Sequence, residues 1–133
     1  MRKPFLPAIL SLTLLVSAAL ALWAASTATF TPSPSGGSSI WAVINADRSP
    51  GKTTTSMTVQ WGSFQRTVGR GNQYGLCAGP MSGFVLRVES SQPKPVPLTL
   101  TTTGTIVRPP YQGFPPPELS HNCYKLERIR ARL

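Results

Sequence analysis

Apolar and polar positions divide this chain into an unbroken apolar stretch and a longer alternating one. From Pro4 to Ala25 the residues are mostly apolar and uncharged, preceded by Arg2 and Lys3 and followed by no charge until Asp47. A basic end, a run that prefers hydrocarbon to water, and small residues behind it predict an export segment, with cleavage edges after Ala21, Ser26 and Ala28. Phe5 to Ala25 exceeds the ~7–15 residues of an ordinary signal-peptide core and approaches the ~20 that span a bilayer. The same residues therefore predict either a signal peptide within residues 1–28 that is removed, or a helical anchor at residues 5–25 that is kept. Both outcomes export the rest of the chain, which would be membrane-anchored, periplasmic, cell-surface or secreted.

Residues 29–39 read as a linker, since Thr31 to Ser39 is proline, serine and glycine with nothing to bury. From Ile40 onward short apolar runs are divided by glycine, proline, serine and threonine without a helical period, which predicts strands. The clearest is Thr55 to Trp61, in which Met57, Val59 and Trp61 alternate with Ser56, Thr58 and Gln60. Gly62 and Ser63 suit a two-residue II′ turn, because glycine tolerates the positive φ required at the first central position. A return strand from Phe64 to Val68 would set Trp61 opposite Phe64, Met57 opposite Val68 and Arg66 beside Val59. Arg66 must then lie at a sheet edge or find a partner.

Further strands are predicted at Ser39 to Ala46, Gly83 to Glu89 and Leu98 to Val107; in the last, Leu98, Leu100 and Ile106 share one parity and four threonines the other. The tail from Tyr124 to Leu133 fits a helical face through Leu126, Ile129 and Leu133. It also fits a strand in which Ile129, Ala131 and Leu133 alternate with three arginines, and the strand is the expectation. Two proline-rich connectors, Pro93 to Pro97 and Pro109 to Pro117, cannot be inner strands because proline lacks the ladder donor. The fold class expected is mainly β: a small antiparallel sheet or sandwich over residues 40–133, preceded by an N-terminal hydrophobic helix.

About a third of the residues beyond 28 are apolar or aromatic, a thin core for one domain. Cys77 and Cys123 would staple it as a disulfide, which an oxidising compartment preserves. Composition also weights the partners. Thirteen Lys and Arg stand against four Asp and Glu, for a net charge of +9, and losing Arg2 and Lys3 with a signal peptide would leave +7. That excess either keeps the domain soluble or draws it to a polyanion: an anionic envelope polymer, lipid headgroups or nucleic acid. The candidate contact residues are Arg66, Arg70, Arg128, Arg130 and Arg132.

Raw material for catalysis is sparse. The single histidine is His121, and the acids Asp47, Glu89, Glu118 and Glu127 are far apart in sequence. Gly69 to Gly75 is glycine-rich and carries Arg70, but it lacks the lysine-serine ending of a phosphate loop and reads as a flexible loop. A zinc site from Cys77, His121 and Cys123 lacks paired C-x-x-C spacing. No metal and no cofactor are expected.

Two resemblances bear on function. Ser120, His121, Asn122, Cys123 and Lys125 resemble the nucleophile motif of L,D-transpeptidases, which would make Cys123 the nucleophile and Lys125 the substitute for the family's arginine. Asn122 stands where that motif has glycine, and a second histidine for the family's base is missing. A long N-terminal apolar helix beginning near Phe5, followed by a small β-rich domain with one disulfide, resembles minor pilins and pseudopilins of type IV filament systems. That resemblance implies filament or envelope protein subunits as partners. The expectation is an exported, non-enzymatic structural or binding component of the cell envelope or surface, pilin-like in its specific version. The alternatives are a soluble secreted polyanion-binding domain and a divergent L,D-transpeptidase-like enzyme.

Overall fold

The computed structural model describes residues 26–72, 77 and 82–133. The expected export helix and residues 73–75 of the glycine-rich stretch lie outside them. Among the described residues, eight strands form two four-stranded sheets: β1 (Ser26–Phe30), β2 (Ser39–Asn45), β3 (Thr54–Trp61), β4 (Phe64–Gly71), β5 (Gly83–Glu89), β6 (Leu98–Thr102), β7 (Thr105–Gln112) and β8 (Tyr124–Arg130). The first sheet has the order β1-β6-β3-β4 and the second the order β7-β2-β5-β8. Every pairing is antiparallel except β5 with β8, which is parallel. The mainly β class read from alternation is what the chain adopts.

The β3–β4 hairpin has the predicted register, with Trp61 opposite Phe64, Met57 opposite Val68 and Val59 opposite Arg66. Gly62 takes φ of 59° and Ser63 stays at negative φ, as the II′ turn requires. Arg66 escapes burial because β4 is an edge strand. Met57, Val59 and Trp61 of β3 meet Leu98 and Leu100 of β6 on one side of the core. Ile40, Ala42, Ile44, Phe84, Leu86, Val88 and Ile129 close it from the second sheet. Trp61 is fully buried, and its indole N–H is the one buried side-chain polar atom among the described residues that finds no partner.

Three expectations change. Leu98 to Val107 is not one strand: it breaks at Thr103 and Gly104, with β6 in the first sheet and β7 in the second. Gly104 passes so close to β2 that a Cβ there would stand 2.2 Å from the Asn45 carbonyl oxygen. The chain changes sheets where only glycine fits. The second proline connector is not wholly a loop either, since β7 runs through Pro109 and Pro110. It does so on an outer edge, with register shifts against β2, where a missing donor costs no ladder bond. Finally, Ser26–Phe30, expected to straddle the export segment and the linker, pairs with β6. Only Thr31 to Ser38 remains as a connection, pinned by Gln112, which accepts from Ser33 N at 2.7 Å and donates to the Ser33 and Gly37 carbonyls.

The register defines two poles. One gathers Ser26, Thr102, Thr105, Asn45, Gly83 and Tyr124; the other gathers Phe30, Leu98, Trp61, Ser39, Glu89, Arg130 and Gln112. They are a strand length apart, about 20 Å. The chain passes into the sandwich at the first pole and leaves β8 at the second.

Candidate functional site

The two outward faces of the sandwich differ in chemistry. The first sheet presents Thr27, Thr29, Thr58, Thr67, Thr99 and Thr101, which hydrogen-bond across strands in pairs at 2.9–3.4 Å, with Gln60 and Gln65 beside them. None of its outward strand positions is charged. The second sheet is different. Its outer face carries a small apolar cluster of Trp41, Val43, Val85 and Tyr124, covered by Tyr111, Leu119 and Cys123. Arginines surround this cluster.

The segment that covers the cluster returns from β7 to β8 through a short 3-10 helix (Pro117–Ser120). Three ties hold it. The Tyr111 hydroxyl donates to the Phe114 carbonyl at 2.9 Å. Arg108 Nε donates to Glu118 Oε2 at 2.7 Å, and this hydrogen bond holds the Glu118 carboxyl below the usual carboxylate range. At the far end, Cys123 is bonded to Cys77 with Cα atoms 5.4 Å apart. The bridged pair read from the sequence is present, and both thiols that a zinc site or a cysteine nucleophile would use are consumed in it. Among the described residues no cluster of three or more His, Cys, Asp or Glu could hold a metal.

The arginines named from the sequence fall into two groups. Arg66 and Arg70 lie on edge strand β4 of the first sheet. Arg70 is committed to structure, because its Nε and Nη2 grip both oxygens of buried Glu127 on β8 at 2.5 and 2.7 Å. Arg128 and Arg130 lie on the outer face of β8, with Arg132 just beyond its end. The alternation read from the tail is present: Ile129 and Ala131 are buried while Arg128, Arg130 and Arg132 are exposed.

The parallel pairing of β8 with β5 adds residues that the sequence did not associate with these arginines. Arg128 registers with Arg87, and Arg130 with Glu89. Arg87 Nε and Arg128 Nη2 converge on Glu89 Oε1 at 3.1 and 2.9 Å. The Arg87 guanidinium also lies 5.1 Å from the Trp41 ring centroid and donates to Ser39 Oγ at 3.0 Å. Arg87 and Arg128 thus share one glutamate at the second pole, Arg130 registers with it and Arg132 follows just beyond β8, and the row Tyr111, Trp41, Arg87, Arg128 crosses the sheet in register. One carboxylate cannot neutralise four guanidiniums. Arg130 and Arg132 are exposed beside it and keep the local charge positive.

A further residue lies in the second proline-rich connector. Phe114 is 91% exposed, the most exposed large hydrophobic side chain among the described residues. Gly113 at φ of 141° precedes it, and Pro115, Pro116 and Pro117 stiffen it behind. The local signal in the sequence was a phenylalanine set between glycine and three prolines. The chain matches no protein-family model, no curated protein and no solved structure.

Proposed function

We propose that this chain is an exported, non-enzymatic component of the cell envelope or surface that binds polyanions through the arginine-rich pole of its second sheet. The observation that carries the reading is that Arg87 and Arg128 share the single carboxylate of Glu89 while Arg130, in register with it, and Arg132, just beyond β8, add exposed charge with no further acid among them. Arginine is suited to the role, since its planar fork pairs with phosphate or carboxylate in two parallel hydrogen bonds. The Cys77–Cys123 bond fits an oxidising compartment. It also occupies the sulfur that transpeptidase chemistry would need, which favours a binding role over that alternative. The pilin-like version depends on residues 5–25, which lie outside the described residues.

The test is the salt dependence of binding. Affinity for an acidic polymer should fall linearly in log-log terms as salt rises, because each neutralised anionic group releases counterions. Changing Arg128, Arg130 and Arg132 together to glutamine should reduce the slope by about two to three. The smaller figure reflects Glu89, which already holds Arg128. Identical slopes for wild type and variant would show that the arginines only solubilise the tail.

A further inference from the structure

We infer that the polyanion taken by this pole is single-stranded nucleic acid, with Phe114 as a stacking platform for a base and the arginines as backbone contacts. The inference rests on the polyanion reading above and adds to it the chemical class of the ligand. An aromatic ring left 91% exposed leaves apolar surface in water, and nothing in the fold requires it there. The ring is nevertheless built into position. Gly113 precedes it at φ of 141°, Tyr111 fixes the Phe114 carbonyl, and Pro115 to Pro117 restrict the backbone on its C-terminal side. A ligand that stacks on it therefore meets a loop already ordered, so little conformational freedom is lost on binding.

Placement relates the ring to the cations. Gln112, two residues before Phe114, registers with Ile40, while Ser39 registers with Glu89 and Glu89 with Arg130. The end of β7 that leads to the ring and the end of β8 that carries the arginines are therefore at the same pole of one sheet, about three strand spacings apart, ~14 Å. That span suits a few nucleotides of an extended strand. Bases supply flat π faces for Phe114, and phosphates supply the anions for Arg128, Arg130 and Arg132. A duplex keeps its bases stacked inside and offers the ring nothing. A bilayer fits less well, because a lone ring is a small wedge. The chain also passes into the sandwich at the opposite pole, so a membrane segment ahead of Ser26 would hold Phe114 away from that membrane.

The experiment measures binding of full-length protein in mild detergent to three probes: fluorescein-labelled oligothymidylate of fifteen residues, a labelled duplex, and polyphosphate as a competitor that carries charge without bases. Phe114→Ala should weaken oligothymidylate binding roughly 5- to 150-fold, the range for loss of one stacked base, and Phe114→Trp should retain it. Polyphosphate competition should be unchanged by either substitution and weakened by the triple arginine variant. If Phe114→Ala weakens neither probe, or weakens both equally, the stacking role is overturned while the arginine reading stands. If the triple arginine variant changes neither probe, both readings fall together. Tighter binding to the duplex than to oligothymidylate would overturn the single-strand assignment. So would a Phe114→Ala defect confined to flotation with phosphatidylglycerol vesicles, which would assign the ring to lipid.

Discussion

Glu118 has an ordinary carboxyl whose consequences are set by one neighbour. Arg108 holds it ionised, and that contact ties the covering segment to β7. Because the folded-state pKa is lowered, the carboxylate contributes stability that is complete above the unfolded value, about 4.3, and is lost as pH falls through the lowered folded value. Glu118→Gln should lower the melting temperature at pH 7 by about 1–3 °C, a modest figure because Arg108 is open to solvent and screened. Melting curves for wild type and variant should converge in acid below the carboxylate range. A gap that persists at low pH would mean that the side chain acts through packing and not charge. Tyr124 shows the other direction: burial pushes its phenol above the usual value while its hydroxyl donates to Asn45 Oδ1 at 2.7 Å.

At the scale of elements, the two sheets are fastened along one open side by Arg70 of β4 and Glu127 of β8. Glu127 is buried and Arg70 is half exposed, so removing the arginine strands a carboxylate in the interior. Arg70→Gln should cost about 1–2 kcal/mol in urea unfolding, less than the ~3–5 of a pair sealed on both sides. A loss below the error of the measurement would show that water reaches Glu127 freely. Strands of this kind were legible where the cause is local. Gly62 and Ser63 specify a turn, and the period-two alternation beside them specifies register. The break at Gly104 was not, because its cause is the Asn45 carbonyl, about sixty residues away in sequence. The tail was ambiguous for a related reason. Its alternation fits two structures, and pairing with β5 decides between them.

The whole molecule is a thin-cored sandwich closed covalently across 46 residues by Cys77 and Cys123. Replacing both cysteines with serine should cost about 4 kcal/mol on the chain-entropy view, read as a lower midpoint in denaturant with a steeper slope, because the uncrosslinked unfolded chain exposes more surface. Retention of full stability would place the fold's stability in its core alone. The candidate site was half legible at this scale. Exposed arginines alternating in the tail were visible along one strand, and they occupy the outer face as expected. Arg87 and Glu89 come from a strand some forty residues earlier and join only through the parallel pairing, while Phe114 gained meaning only from its exposure. Arg70 was grouped with the tail arginines by charge alone, yet it serves a buried glutamate. Composition counts charges without saying which are already spent.

The polarity of the sandwich bears on how the protein can be handled. Ser26 lies at one pole, whereas Ala131 donates its N–H to the Glu89 carbonyl at 2.7 Å, at the pole that carries the arginines. A tag or fluorescent fusion appended after Leu133 would sit beside the arginine-rich surface and mask it. Tethering through residues ahead of Ser26, on a bead or a sensor chip, would leave that surface facing the solution.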